Sequence, residues 1–123
     1  MTIQVEVDLR TFVLAIEGRD GEYQRGLYSD DAEICLIGSD TAMPPQVLVG
    51  TTALTGWIKQ MSSPALTHCV VDVSVAADRL SWTDHCRTAQ GLNTLYQSTA
   101  ELVDGQITKQ HVTVIWEDCR PDR

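Results

Sequence analysis

LYQSTAELVDGQITKQHVTVIWED, residues 95–118, decides the fold. Two runs of alternating residues flank Asp104-Gly105, a dipeptide that tolerates the positive φ angles of a tight two-residue turn. The stretch therefore predicts a β-hairpin with its register fixed at the turn. Working upstream, NTLYQSTAELV, RLSWTDHCRTAQ and THCVVDVSVAA read as further strands. Gly91-Leu92-Asn93 and Ala77-Asp78 mark the turns between them. Strands joined by short turns pair antiparallel.

The N-terminal half reads differently. Asp8 can cap a helix through LRTFVLAIEGR, where Leu9, Phe12, Val13 and Ile16 form one apolar stripe. Asp20 caps a short second helix with Tyr23 and Leu27 on one face. Ser29-Asp30-Asp31 is expected to break it before a strand, AEICLIG. The loop GSDTAMPPQ, with two prolines, is expected to be extended or turn-like. Gly50-Thr51-Thr52 then opens a third helix, with Leu54, Trp57, Ile58 and Met61 at i, i+3, i+4 and i+7. The order is α-α-β-α followed by a four-strand meander. That order implies an α+β layer, about three N-terminal helices on one face of an antiparallel-rich sheet, with a cleft between the layers.

The chain has 123 residues, 43% of them hydrophobic and 21% charged, as expected for one domain, residues 1–123, of an ordinary soluble protein. Its formal net charge of −8 argues against nucleic acid or an anionic membrane as partner. No apolar run reaches the ~20 residues of a membrane helix. MTIQVEVDLR lacks the basic and apolar regions of a signal peptide, so a cytoplasmic location is expected. Cys35, Cys69, Cys86 and Cys119 share no CxxC spacing; free thiols and no metal or other cofactor are the expectation.

Strand parity nominates side chains for the cleft. Leu80, Trp82, Asp84 and Cys86 are the more apolar alternate set of their strand, which puts Asp84 inside beside Trp82. Tyr96, Ser98, Ala100 and Leu102 face the cleft from the next strand, and Gln110, Val112, Val114 and Trp116 from the last. On the strand before these, parity favours Cys69, Val71, Val73 and Val75 inside and His68, Val70 and Asp72 outside. A carboxylate in an apolar cleft could serve as acid or base.

FVLAIEGRD (12–20), LYSDDA (27–32), GTTALTGW (50–57), His68 at a strand start and LVDGQI (102–107), in this order and spacing, resemble the nuclear transport factor 2-like superfamily, nearest to its SnoaL-like and ketosteroid isomerase-like branch. The resemblance spans nearly the whole chain. It implies a cone-shaped, curved sheet around an apolar pocket, and frequent dimers through the open sheet face. Here that face would carry Val71, Thr83, His85, Thr99, His111 and Thr113. It places His68 inside, against parity. The tyrosine, carboxylate base and carboxylic acid of the family's isomerases would fall near Phe12, Leu36 and Ser98, where all three groups are missing. The aspartate-arginine-aspartate set of its epoxide hydrolases would fall near Asp84, Cys86 and Val112, where only Asp84 suits. Of the two histidines of its scytalone-dehydratase-like members, one falls at His68, which matches, and the other falls close to Asp84, with His85 next door. Asp84 and His68 are therefore the catalytic candidates. The expected pocket is Phe12, Ile16, Tyr28, Leu36, Trp57, Asp72, Trp82, Cys86, Tyr96, Ser98, Gln110 and Val112. The expected function is binding of a small hydrophobic molecule, with cofactor-independent isomerisation, dehydration or cyclisation as the candidate chemistry. The alternative is a non-catalytic binding or dimeric assembly module.

Overall fold

In a computed structural model of the chain, residues 8–38 and 44–117 are described. The N-terminal MTIQVEV, the centre of the proline loop (39–43), Asp118 and Cys119 lie outside them. The elements run α1 (Leu9–Glu17), α2 (Gly21–Gly26), β1 (Tyr28–Gly38), β2 (Gln46–Val49), α3 (Thr51–Met61), β3 (Leu66–Ala76), β4 (Arg79–Thr88), β5 (Asn93–Val103) and β6 (Gln106–Glu117). Asp8 caps α1 by accepting from the N–H groups of Arg10 and Thr11, and Asp20 caps α2 by accepting from Tyr23. The turn between β5 and β6 has φ of 52° at Asp104 and 77° at Gly105, the pair of positive angles its sequence suits.

The six strands form one mixed sheet in the order β2-β1-β6-β5-β4-β3. β3 to β6 are an antiparallel meander, and β1 lies parallel to β6 and antiparallel to β2. The expected cone is not formed. β2 and β3 are the two free ends of an open sheet and do not meet. The helices cover the inner face from both ends, α1 on β3 and α3 on β1 and β2, so the sheet need not curl to bury it.

Phe12, Ile34, Leu54, Leu80, Ile107 and Val112 are its largest fully buried side chains. Their burial is the main driving force for docking the helix layer on the sheet. Edge strand β3 is tied to the helices at its first half. Glu17 Oε2 accepts from Val70 N–H at 2.9 Å, and Arg19 Nη1 donates to Leu66 O at 3.0 Å.

Three local readings change. β2 lies where the sequence pattern assigns no strand. Ser29-Asp30-Asp31 falls inside β1, at an irregularity between Tyr28 and Glu33, rather than before it. In β3, three steps from Val71 to Ser74 face two steps from Thr83 to Ser81, a one-residue bulge, with Asp72 at φ 54°. The bulge reverses the face of everything beyond it. His68 and Val70 point inward before it, and Val73 packs against the core after it. Simple alternation along β3 therefore gives the wrong face for His68. No described helix is long and apolar enough to cross a membrane.

Candidate functional site

The inner face of β3 to β6 and the undersides of the three helices enclose a cleft of about 500 Å³, its open mouth included. Phe12 and Ile16 of α1, Gln24 of α2, Leu27, Tyr28, and Trp57 and Met61 of α3 form one side. His68, Trp82, Asp84, Tyr96, Ser98, Gln110 and Val112 form the sheet side. Phe12 meets Trp82 edge-on with ring centres 4.8 Å apart, and Trp57 meets Tyr96 edge-on at 6.1 Å. A larger groove of about 1250 Å³ runs between α2 and α3, bordered by Arg25, Lys59, Ser62 and Pro64. It holds no buried ionisable side chain, so the chemistry is concentrated in the first cleft.

Its centre is a pair. His68 Nδ1 lies 2.7 Å from Asp84 Oδ2, with the side chains 1% and 4% exposed. His68 Nε2 lies 2.6 Å from the carbonyl oxygen of Met61. A carbonyl only accepts, so Nε2 carries a proton. Burial alone would push the imidazole pKa down. The hydrogen bond and charge of Asp84, with Cys86 alongside, outweigh it and raise the value to about 10. Near neutral pH His68 is thus an imidazolium donating from both nitrogens. Met61 ends α3, so the cation also meets the negative end of the helix dipole.

Asp84 has a second oxygen, Oδ1, that is buried and has no hydrogen-bond partner. Among the described residues, the other buried side-chain nitrogen or oxygen atom in that condition is Ser62 Oγ. Buried polar atoms are nearly always satisfied, so an orphan carboxylate oxygen in a cleft is a place for a donor.

A second polar group crosses the floor. Tyr28 O–H donates to Gln110 Oε1, and Gln110 Nε2 donates to Ser98 Oγ at 3.1 Å. Burial pushes the Tyr28 hydroxyl well above the usual phenol range. Burial, reinforced by the Cys86 and Asp84 side chains, pushes Tyr96 up to about 12. Both stay neutral donors.

The structure brings Phe12, Ile16, Tyr28, Trp57, His68, Trp82, Asp84, Tyr96, Ser98, Gln110 and Val112 to this cleft. Leu36 and Cys86 are buried but do not line it: Leu36 packs into the hydrophobic core, and Cys86 sits directly opposite His68 in the β3–β4 register. Asp72 is exposed at the bulge, away from the cleft. Trp116 is 59% exposed rather than in the cleft. Leu27, expected as core or pocket lining, lines the cleft, and Gln24 and Met61 join it without being expected there. Leu27 and Met61 lie on the apolar faces of their predicted helices, whereas Gln24 carries no signal in sequence.

No protein-family model matches the chain, and neither does any curated protein sequence. Solved structures do. An NTF2-like protein of unknown function from Mesorhizobium loti aligns over 86% of this chain and 86% of its own, with a TM-score of 0.72 and 18% identity. A computationally designed 17-OHP binder aligns over 85% of this chain and 87% of its own, at TM-score 0.63 and 18% identity. An epoxide hydrolase/cyclase-like enzyme of pyran ring formation in the polyether salinomycin aligns over 89% and 87%, at TM-score 0.60 and 11% identity. At such identities what is shared is the backbone arrangement: the chain adopts the nuclear transport factor 2-like fold.

Proposed function

We propose that the cleft binds a small, mostly apolar molecule and that Asp84 exchanges a proton with it, in a cofactor-independent isomerisation, dehydration or cyclisation. The observation that carries this reading is Asp84 Oδ1, a buried carboxylate oxygen with no partner, in an aromatic-lined cleft. His68 has both nitrogens engaged, so it serves as a positioning residue that holds Asp84 and balances its charge. Tyr96 lines the same cleft, and its hydroxyl makes no hydrogen bond among the described residues, leaving it free to donate to a ligand oxygen. That a salinomycin-pathway cyclase-like enzyme and a designed 17-OHP binder share the fold supports a small-molecule cleft without naming the reaction.

The test is turnover of a panel of small enolisable ketones and epoxides by the protein and by Asp84→Asn. Loss of a proton-transfer group costs ~10²–10⁴-fold in rate, so turnover that survives Asp84→Asn would refute the assignment. The second reading is a binding module without catalysis. It is favoured by the apolar Leu36 and Val112, both buried, where relatives are expected to carry carboxylates. Compounds that bind but are never converted would support it. We further propose that two copies pair through the outer sheet face, where His85, Thr99, His111 and Thr113 are exposed. Sedimentation that gives a monomer at all concentrations would exclude this.

A further inference from the structure

The orientation of the Tyr28–Gln110–Ser98 chain has a consequence for the ligand. Tyr28 donates to Gln110 Oε1, so the amide presents Nε2 to Ser98. Ser98 Oγ receives that hydrogen bond, and its own O–H must donate elsewhere. Among the described residues it has no acceptor. Successive hydrogen bonds polarise one another, so the last donor of the chain is a strengthened one.

The one orphan acceptor in the cleft is Asp84 Oδ1. Asp84 is opposite Tyr96 in the β4–β5 ladder, and Ser98 is opposite Trp82, so the two are diagonal neighbours on the same face. They make no direct hydrogen bond. A bridging hydroxyl oxygen ~2.7 Å from each, at a near-tetrahedral angle, joins two oxygens about 4.4 Å apart, a separation that side chains on a strand diagonal of roughly 7–8 Å can reach by leaning toward each other. The carboxylate also favours a chain whose donor end points toward it over the reversed amide.

We infer that the cleft is built for a ligand hydroxyl — a phenol, enol or alcohol — that accepts from Ser98 O–H and donates to Asp84 Oδ1, with Tyr28 and Gln110 as positioning residues that set the direction of Ser98. The inference rests on the reading of this cleft as the ligand site. An alkyl group in the same place leaves both valences unmet, and an ether or ketone meets one of them. The enol of a ketone meets both, so the site favours the enol over its keto form.

The probes are phenol and its isostere toluene, each titrated into the full chain by NMR, with the wild type, Ser98→Ala, Ser98→Cys and Tyr28→Phe compared. A neutral hydrogen bond contributes about twofold to tenfold in affinity. The phenol-to-toluene affinity ratio should fall by about that factor in Ser98→Ala and Ser98→Cys. It should fall in Tyr28→Phe as well, because Gln110 is then free to turn. Ser98→Cys keeps the shape of the side chain and reads the loss of the donor if the alanine variant does not fold. An unchanged ratio in the Ser98 variants, with toluene still bound, would overturn the hydroxyl bridge and leave the cleft reading standing. Failure of both probes to bind the wild-type cleft would overturn both.

Discussion

His68 and Asp84 sit on neighbouring strands one diagonal apart, His68 opposite Cys86 and Asp84 opposite Val70, and their side chains close that diagonal at 2.7 Å. The contact joins three layers of the protein. Through Nε2 the same imidazole holds the last carbonyl of α3, so the roof of the cleft and its acidic floor share one residue. Removing His68 leaves a buried carboxylate with no counter-charge. His68→Ala should destabilise by about 3–5 kcal/mol, read from urea denaturation. The double variant His68→Leu/Asp84→Leu should recover most of that loss, because an apolar pair leaves no buried charge unmet. A double variant no more stable than His68→Ala would show that the ion pair is not the origin of the effect.

Alkaline pH should weaken the fold. The His68 pKa is raised from 6.5 to about 10, so its contribution is fully present below about pH 6.5 and is lost as pH rises through about 10. Stability measured at intervals from pH 6 to 11 should decline over that window in the wild type and much less in His68→Gln. In nitrogen NMR both ring nitrogens of His68 should still be protonated at pH 8.

The β5–β6 turn depends on its glycine. Gly105 has φ 77°, a region that costs a side-chain-bearing residue roughly 1–2 kcal/mol. Gly105→Val should lower the midpoint of thermal unfolding accordingly, while Asp104→Asn should be nearly neutral, since Asn accepts positive φ about as well as Asp.

Glu17 guards the sheet edge. Its carboxylate caps Val70 N–H, a group that would otherwise face outward from the edge strand. Glu17→Ala should cost about 1 kcal/mol and speed amide exchange at Val70 ahead of its neighbours in β4. Equal exchange in both proteins would place the protection elsewhere.

How much of this was legible follows from how local each cause is. The Asp104-Gly105 hairpin was readable because a turn is decided by its own two residues. The alternation of β4 placed Asp84 inward for the same reason, with Leu80, Trp82 and Cys86 buried beside it. The face of β3 was not readable by alternation, because the bulge at Asp72 carries no glycine to announce it. Family resemblance put His68 inside, but its bond to Asp84 spans 16 positions and is set by the β3–β4 register. The open sheet was illegible too: closure depends on how β2 and β3 meet at a distance, and β2 is only 4 residues long beside two prolines.

The bulge also divides β3 into two independent halves. Everything between Leu66 and Val71 keeps its facing whatever happens beyond Asp72, because the register before the bulge is held by β4. Deleting Asp72 would remove the extra residue and restore plain alternation, with Val73 opposite Trp82 and still inward, Ser74 still outward, and His68 and Val70 in place. The bulge is therefore a point where the strand can lose its extra residue, in evolution or by engineering, without moving the His68–Asp84 pair.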